Sequence, residues 1–132
     1  MLDLPPFSDL EINALQRAST VVLQKSLKEG FALTVAEALW KERPVVAMAV
    51  GGIPLQVLPE KTGYLVHTVE GTAAAVRHVL SNPLEAAQLA RNGKEHVRQN
   101  FLITRHIRDY MVLFLCVLDP GKPILKLDPV AG

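Results

Sequence analysis

Between Thr20 and Val50, two short β-branched runs flank a segment with helical periodicity. That alternation constrains the fold more than any other feature of the chain. Thr20 to Gln24 reads as a buried strand, and a polar loop runs from Lys25 to Gly30. A helix is expected from about Leu33 to Lys41, with Val35, Ala36, Leu39 and Trp40 on its inner face. Pro44 opens a second strand, Val45 to Val50, and Gly51-Gly52 breaks it. A strand, a crossover helix and a second strand make a parallel pair.

The same grammar continues on both sides. Ser8 or Asp9 can cap a helix running to Ala18, around whose faces lie Leu10, Ile12, Leu15 and Gln16. A short helix or turn, Pro54 to Leu58, is followed by the turn Lys61-Thr62-Gly63 and a third strand, Tyr64 to His67. Helices are expected over Gly71 to Leu80, Pro83 to Gln99 and Ile103 to Leu118, with Pro83 in a first turn. The fold class is α/β: a partial Rossmann-like parallel sheet with flanking helices. A complete doubly wound sheet has about five or six strands, against three visible here. Residues 1–118 are expected to form one truncated domain. Residues 119–132, with Pro120, Gly121, Pro123 and Pro129, are expected to be a flexible tail.

Composition narrows the function classes. Lys and Arg total 14 against 13 Asp and Glu, so no basic face argues for nucleic acid. The apolar run Met111 to Leu118 is too short to span a bilayer, and nothing reads as a secretory signal. Cys116 is the single cysteine; it reads as a reduced, buried, inert thiol and suits a cytoplasmic compartment. Hydrophobic residues make up 49% of the chain, which fits either a buried interface or a well-filled core.

The chemistry concentrates in Ser26-Leu27-Lys28-Glu29-Gly30-Phe31-Ala32-Leu33-Thr34-Val35-Ala36-Glu37, between a strand and a helix. In an open parallel sheet, ligands bind at that edge. The helix N-terminus offers unpaired N–H groups and the positive end of the helix dipole, both suited to phosphate. Gly30 lets the backbone approach a ligand, and carboxylates such as Glu29 and Glu37 pair well with sugar hydroxyls. Spacing alone leaves the other reading open: Glu29 as a solvated loop charge and Glu37 as a surface residue of an amphipathic helix. Gly51-Gly52 reads either as cleft lining or as a tight turn. Trp40 reads as core. Lys25 and Lys28 read as solvated loop charges rather than phosphate ligands.

The ordered series Ser26-x-x-Glu29-Gly30-Phe31-Ala32-Leu33-Thr34, Glu37-Ala38, Pro44-Val45-Val46, Gly51-Gly52-Ile53 and Thr62-Gly63-Tyr64-Leu65-Val66 resembles the donor-binding domain of family-4 retaining glycosyltransferases of the GT-B fold. The resemblance runs from about residue 8 to residue 110. Glu11 to Ser19 and Asn100 to His106 are similar to the trehalose-forming members, which join nucleotide-activated glucose to glucose; trehalose phosphorylases are near relatives of these. The resemblance implies that Glu29 contacts the donor sugar in catalysis. It implies that backbone amides around Gly30, Phe31, Ala32 and Leu33 hold sugar hydroxyls and the diphosphate, with Thr34 adding a phosphate contact. Glu37 would bind the ribose; Gly51 and Gly52 either line the sugar or acceptor side of the cleft or serve only as a tight turn. Ala32 stands where the family usually has Gly, and the extra methyl either narrows the approach to the sugar or merely stiffens the loop.

In the family an acceptor-binding domain precedes the donor domain, and upstream strands supply an Arg and a Lys for the diphosphate. Neither is visible here, so the chain is expected to bind an NDP-glucose weakly and to turn over nothing alone. Two alternatives stand beside this reading: a binding module that pairs with a separately encoded partner chain carrying the acceptor half, and a non-functional fragment that self-associates as a homo-oligomer. The family's chemistry uses no metal or other cofactor. His67, His78, His96 and His106 show no ligand spacing.

Overall fold

The computed structural model describes Pro5 and residues 8–118. The elements are α1 (Asp9–Ala18), β1 (Val22–Gln24), α2 (Leu33–Trp40), β2 (Val45–Met48), α3 (Ile53–Gln56), β3 (Tyr64–Val66), α4 (Val69–Ser81), α5 (Pro83–Asn100) and α6 (Ile103–Leu118). The three strands form a parallel sheet in the order β1-β2-β3, with Val22 opposite Val45 and Val46 opposite Tyr64. The expected tail, 119–132, lies outside the described residues, as do 1–4, 6 and 7.

Strand β2 explains the two-layered core. Because side chains alternate across a strand, Val45 and Ala47 enter one apolar cluster and Val46 enters another. The first cluster gathers Val35, Ala38 and Leu39 of α2 with Ile53, Val57 and Val97. The second takes Val66, Val79 and Ala86 on the opposite face. With helices over both faces, β2 reads as a continuous apolar run.

Several boundaries differ from the sequence reading for local reasons. Strand β2 stops at Met48, because the Val50 N–H turns back to the Met48 carbonyl at 2.9 Å. Helix α4 starts at Val69, because the Thr68 hydroxyl caps it by accepting from the Gly71 N–H at 3.0 Å. Ser8 precedes α1, but its hydroxyl donates to the Pro5 carbonyl and accepts no helix amide.

Two core expectations need correction. Trp40 is 41% exposed at the end of α2, with the Lys94 ammonium 5.9 Å from its ring centroid. The inner face of α2 is Val35, Ala38 and Leu39 instead. Cys116 is only half-buried, on a helix none of whose residues is buried. In α1 only Gln16 is buried, while Leu10, Ile12 and Leu15 are exposed.

Candidate functional site

The loop between β1 and α2 sits at the C-terminal end of the sheet. Glu29 is fixed within it. Its Oε2 accepts from the Ser26 hydroxyl at 3.0 Å and from the Gln24 amide at 3.2 Å, and its Oε1 accepts from the Gly30 N–H at 3.1 Å. Gln24 also donates to the Ser26 hydroxyl at 2.7 Å, so three side chains form one network. A carboxylate oxygen accepts more than one hydrogen bond, so Glu29 keeps capacity for an incoming hydroxyl.

Ala32 enters α2 with a left-handed backbone, φ +67°. Glycine adopts that conformation freely and alanine only at a cost. Ala32 brings no capping side chain, and the first turn of α2 holds no acidic residue. The amides of Ala32, Leu33 and Thr34 meet no acceptor among the described residues. Donors of this kind at a helix N-terminus, with the dipole behind them, suit an anion.

The structure brings Gly51 and Gly52 against this loop. The Gly52 N–H donates to the Gly30 carbonyl at 2.7 Å. A Cβ on Gly51, whose φ is +54°, would lie 1.8 Å from the Glu29 carbonyl oxygen, and one on Gly52 would lie 2.7 Å from that of Gly30. The pair is a tight turn that also abuts the candidate site. Glu37, one turn into α2, is exposed and accepts from Gln16 of α1 at 3.2 Å. Lys41 donates to the same Gln16, which sets that amide's orientation. Lys25 and Lys28 are exposed and form no ion pair among the described residues.

Gln56 and Phe101 also reach the site, and the sequence reading missed both. Gln56 is fully buried and its amide donates to the Phe31 carbonyl. The Phe101 ring meets Phe31 edge-on, with centroids 5.5 Å apart. A polar residue inside the apolar stretch Ile53 to Leu58 was the available signal for Gln56. Nothing local pointed to Phe101.

A groove of about 860 Å³ opens beside the loop, lined in part by Leu23, Lys25, Leu27, Met48, His67 and Val76. None of residues 29–37 lines it. Among the described residues, no three His, Cys, Asp or Glu side chains cluster as metal ligands would, and no helix is long and apolar enough to cross a membrane.

A parallel sheet with a helix N-terminus opening onto its carboxyl edge defines an open α/β class of fold, in which ligands bind outside the carboxyl ends of the strands. The family model "Glycosyl transferases group 1" matches residues 3–96, and the chain belongs to that family. Within it, the chain is 51% identical over 109 residues to the trehalose synthase of Rubrobacter xylanophilus, covering 83% of this chain and 26% of that protein. To the trehalose synthase of Thermococcus litoralis it is 48% identical over 103 residues, 78% of this chain and 25% of that one. The chain thus spans about a quarter of the length of these relatives. Its fold is that of GT-B glycosyltransferases. It superimposes on sucrose-phosphate synthase from Thermosynechococcus elongatus with a TM-score of 0.71 at 31% identity, over 80% of this chain and 27% of the other. The Anabaena protein HepE, solved with UDP-glucose, shares the fold with a TM-score of 0.67 at 23% identity, over 80% of this chain and 30% of that one.

Proposed function

We propose that this chain supplies the nucleotide-sugar-binding part of a retaining, trehalose-forming glycosyltransferase and holds an NDP-glucose. The observation that carries this reading is the β1–α2 junction. An oriented carboxylate, Glu29, leads into a helix whose first amides meet no acceptor and whose first turn holds no acid. The diphosphate sits at the amides of Ala32, Leu33 and Thr34. The sugar lies against Glu29 and the backbone of Gly30 and Phe31, and Glu37 binds the ribose. Negative charge develops on the diphosphate as the glycosidic bond breaks, and fixed donors aimed at it lower that barrier. Relatives named trehalose phosphorylase support the broader sugar class, with 44% identity over 75 residues in Pleurotus sajor-caju. Binding uses no metal, so a chelator leaves it unchanged. By itself the chain binds donor weakly and turns over none, as a cytoplasmic protein.

A second reading is a binding module completed by a separate polypeptide that carries the acceptor half. It is favoured by β1, which has no strand on its outer side among the described residues, and by the exposed Leu23 and Leu27 beside it.

Calorimetric titration with UDP-glucose and with ADP-glucose tests the first reading. We expect saturable binding to one of them, weakened at least about tenfold by Glu37→Ala, since hydrogen bonds to a charged group are among the stronger ones. No heat with either donor at millimolar concentration sinks it.

A further inference from the structure

We infer that Gln56 is a positioning residue for the donor loop, acting through the peptide between Phe31 and Ala32. The inference rests on the donor-binding reading above and names a device it does not contain. The Gln56 side chain is fully buried, and its Nε2 donates to the Phe31 carbonyl. An acceptor at that place admits only the amide's NH₂ end, so the side chain is held one way round. Its Oε1 is left with no partner among the described residues. Burying an unpaired oxygen is unfavourable, and an apolar side chain would avoid it. The polar residue is therefore poorly explained by packing.

A trans peptide links the consequence to the site. No peptide bond in the described chain is cis, so a carbonyl and the following N–H point in opposite directions. Holding the Phe31 carbonyl toward α3 aims the Ala32 N–H away from α3. That N–H meets no acceptor among the described residues, and beside it lie the free amides of Leu33 and Thr34. Gln56 thus sets the direction of the first donor at the mouth of α2. Ala32 has a left-handed φ of +67°, unfavourable for a residue with a Cβ, and rotation of this one peptide changes that φ. Without the bond from Gln56, the plane is free to turn.

The Phe31 side chain is held as well. Phe101, after α5, meets the Phe31 ring edge-on at 5.5 Å, and the His96 ring meets Phe101 at the same distance. His96 Nε2 lies 2.9 Å from the Leu55 carbonyl in α3, and its Nδ1 faces the Asn100 amide at 3.2 Å. A carbonyl on one nitrogen and an NH₂ on the other select the Nε2–H tautomer. His96 therefore ties α3, which carries Gln56, to the segment that carries Phe101. Phe31 is thus held at its carbonyl and at its ring by groups that are themselves joined.

The test uses the full chain and Gln56→Met, which removes the donor and the unpaired oxygen while keeping volume and flexibility. Phe101→Leu serves as a second variant that loosens the hold on the Phe31 ring. The readouts are the Ala32 amide resonance in ¹⁵N-labelled protein, thermal melting, and calorimetry with UDP-glucose and ADP-glucose. Gln56→Met is expected to melt within about 5 °C of wild type. Its Ala32 resonance should shift and broaden, and donor affinity should fall about three- to tenfold, the equivalent of one net hydrogen bond. An unchanged Ala32 resonance overturns the inference, and so does a changed resonance with undiminished affinity. If Gln56→Met fails to fold, the same criteria apply to Phe101→Leu. If wild type binds neither donor, the functional reading falls by itself, and the Ala32 resonance alone decides whether Gln56 orients that peptide.

Discussion

At Ala32 three small terms nearly cancel. The left-handed backbone costs about 1–2 kcal/mol for a residue with a Cβ. Glycine would relieve that cost, but it loses about 0.4–1 kcal/mol through the freedom of the unfolded chain. It also loses a buried methyl worth about 0.8 kcal/mol. Ala32→Gly should therefore leave the urea midpoint within about 1 kcal/mol of wild type, whereas Ala32→Val, β-branched in that conformation, should lose about 2 kcal/mol or more. Gly51 is the contrasting case, since a Cβ there would overlap the Glu29 carbonyl and its φ is positive. Gly51→Ala should cost about 3 kcal/mol in denaturant unfolding. The placement of the loop residues was legible because the pattern is local: Glu29, Gly30, Thr34 and Glu37 lie on a single strand–loop–helix passage. The αL geometry of Ala32 was not legible, because an Ala at a helix start carries no signal for it. Gln56 was missed because its partner lies 25 residues back, and only tertiary folding joins them.

At the scale of elements, helices α2 and α5 are in contact where Gly93 meets Leu39. A Cβ on Gly93 would lie 2.6 Å from the Leu39 Cδ2, in a side chain that is itself fully buried. Gly93→Ala should destabilise by about 1–3 kcal/mol, read from the urea midpoint, because the neighbouring side chain has nowhere to move. A second junction joins β3, α4 and α5. There the Tyr64 hydroxyl donates to Glu85 Oε1 at 2.6 Å, and His78 Nε2 lies 2.9 Å from Glu85 Oε2. Burial, then the hydrogen bond to Glu85 and the charges of Glu85 and Glu60, push the Tyr64 hydroxyl up to about 12 from 10.0. A group whose folded value is raised stabilises fully below its unfolded value, and the gain fades as pH rises to the folded one. Stability should therefore fall between about pH 10 and 12, and Tyr64→Phe should flatten that part of a pH series of melts. Periodicity gave the existence and order of every element except α3, whose segment reads equally as a short helix or a turn, because the others carry an apolar stripe or a β-branched run. It did not give their ends: those of α4 and β2 are set by single hydrogen bonds of Thr68 and Val50.

Over the whole molecule, the unevenness of burial decides how the chain behaves in water. Two clusters on the faces of β2 hold the fold together. Helix α6 has no buried residue, and Met111, Leu113, Phe114 and Leu115 are all more than half exposed. Strand β1 adds an edge with no neighbour on its outer side among the described residues. Contiguous apolar surface and an open strand edge both favour association, and they act independently. The purified chain should therefore show a concentration-dependent increase in mass by light scattering. Leu113→Glu combined with Leu115→Glu should reduce that increase. It should leave melting within about 3 °C of the parent extrapolated to low concentration, because neither side chain contributes to the core. Association that persists in the double variant points to the β1 edge. Leu23→Lys then separates the two sources, because an outward charge on an edge strand blocks pairing without touching α6. A chain that stays monomeric at every concentration would mean that neither surface is sticky enough to matter. The partner-dependent reading would then lose its physical motive, and weak donor binding by a monomer would remain the chain's expected activity.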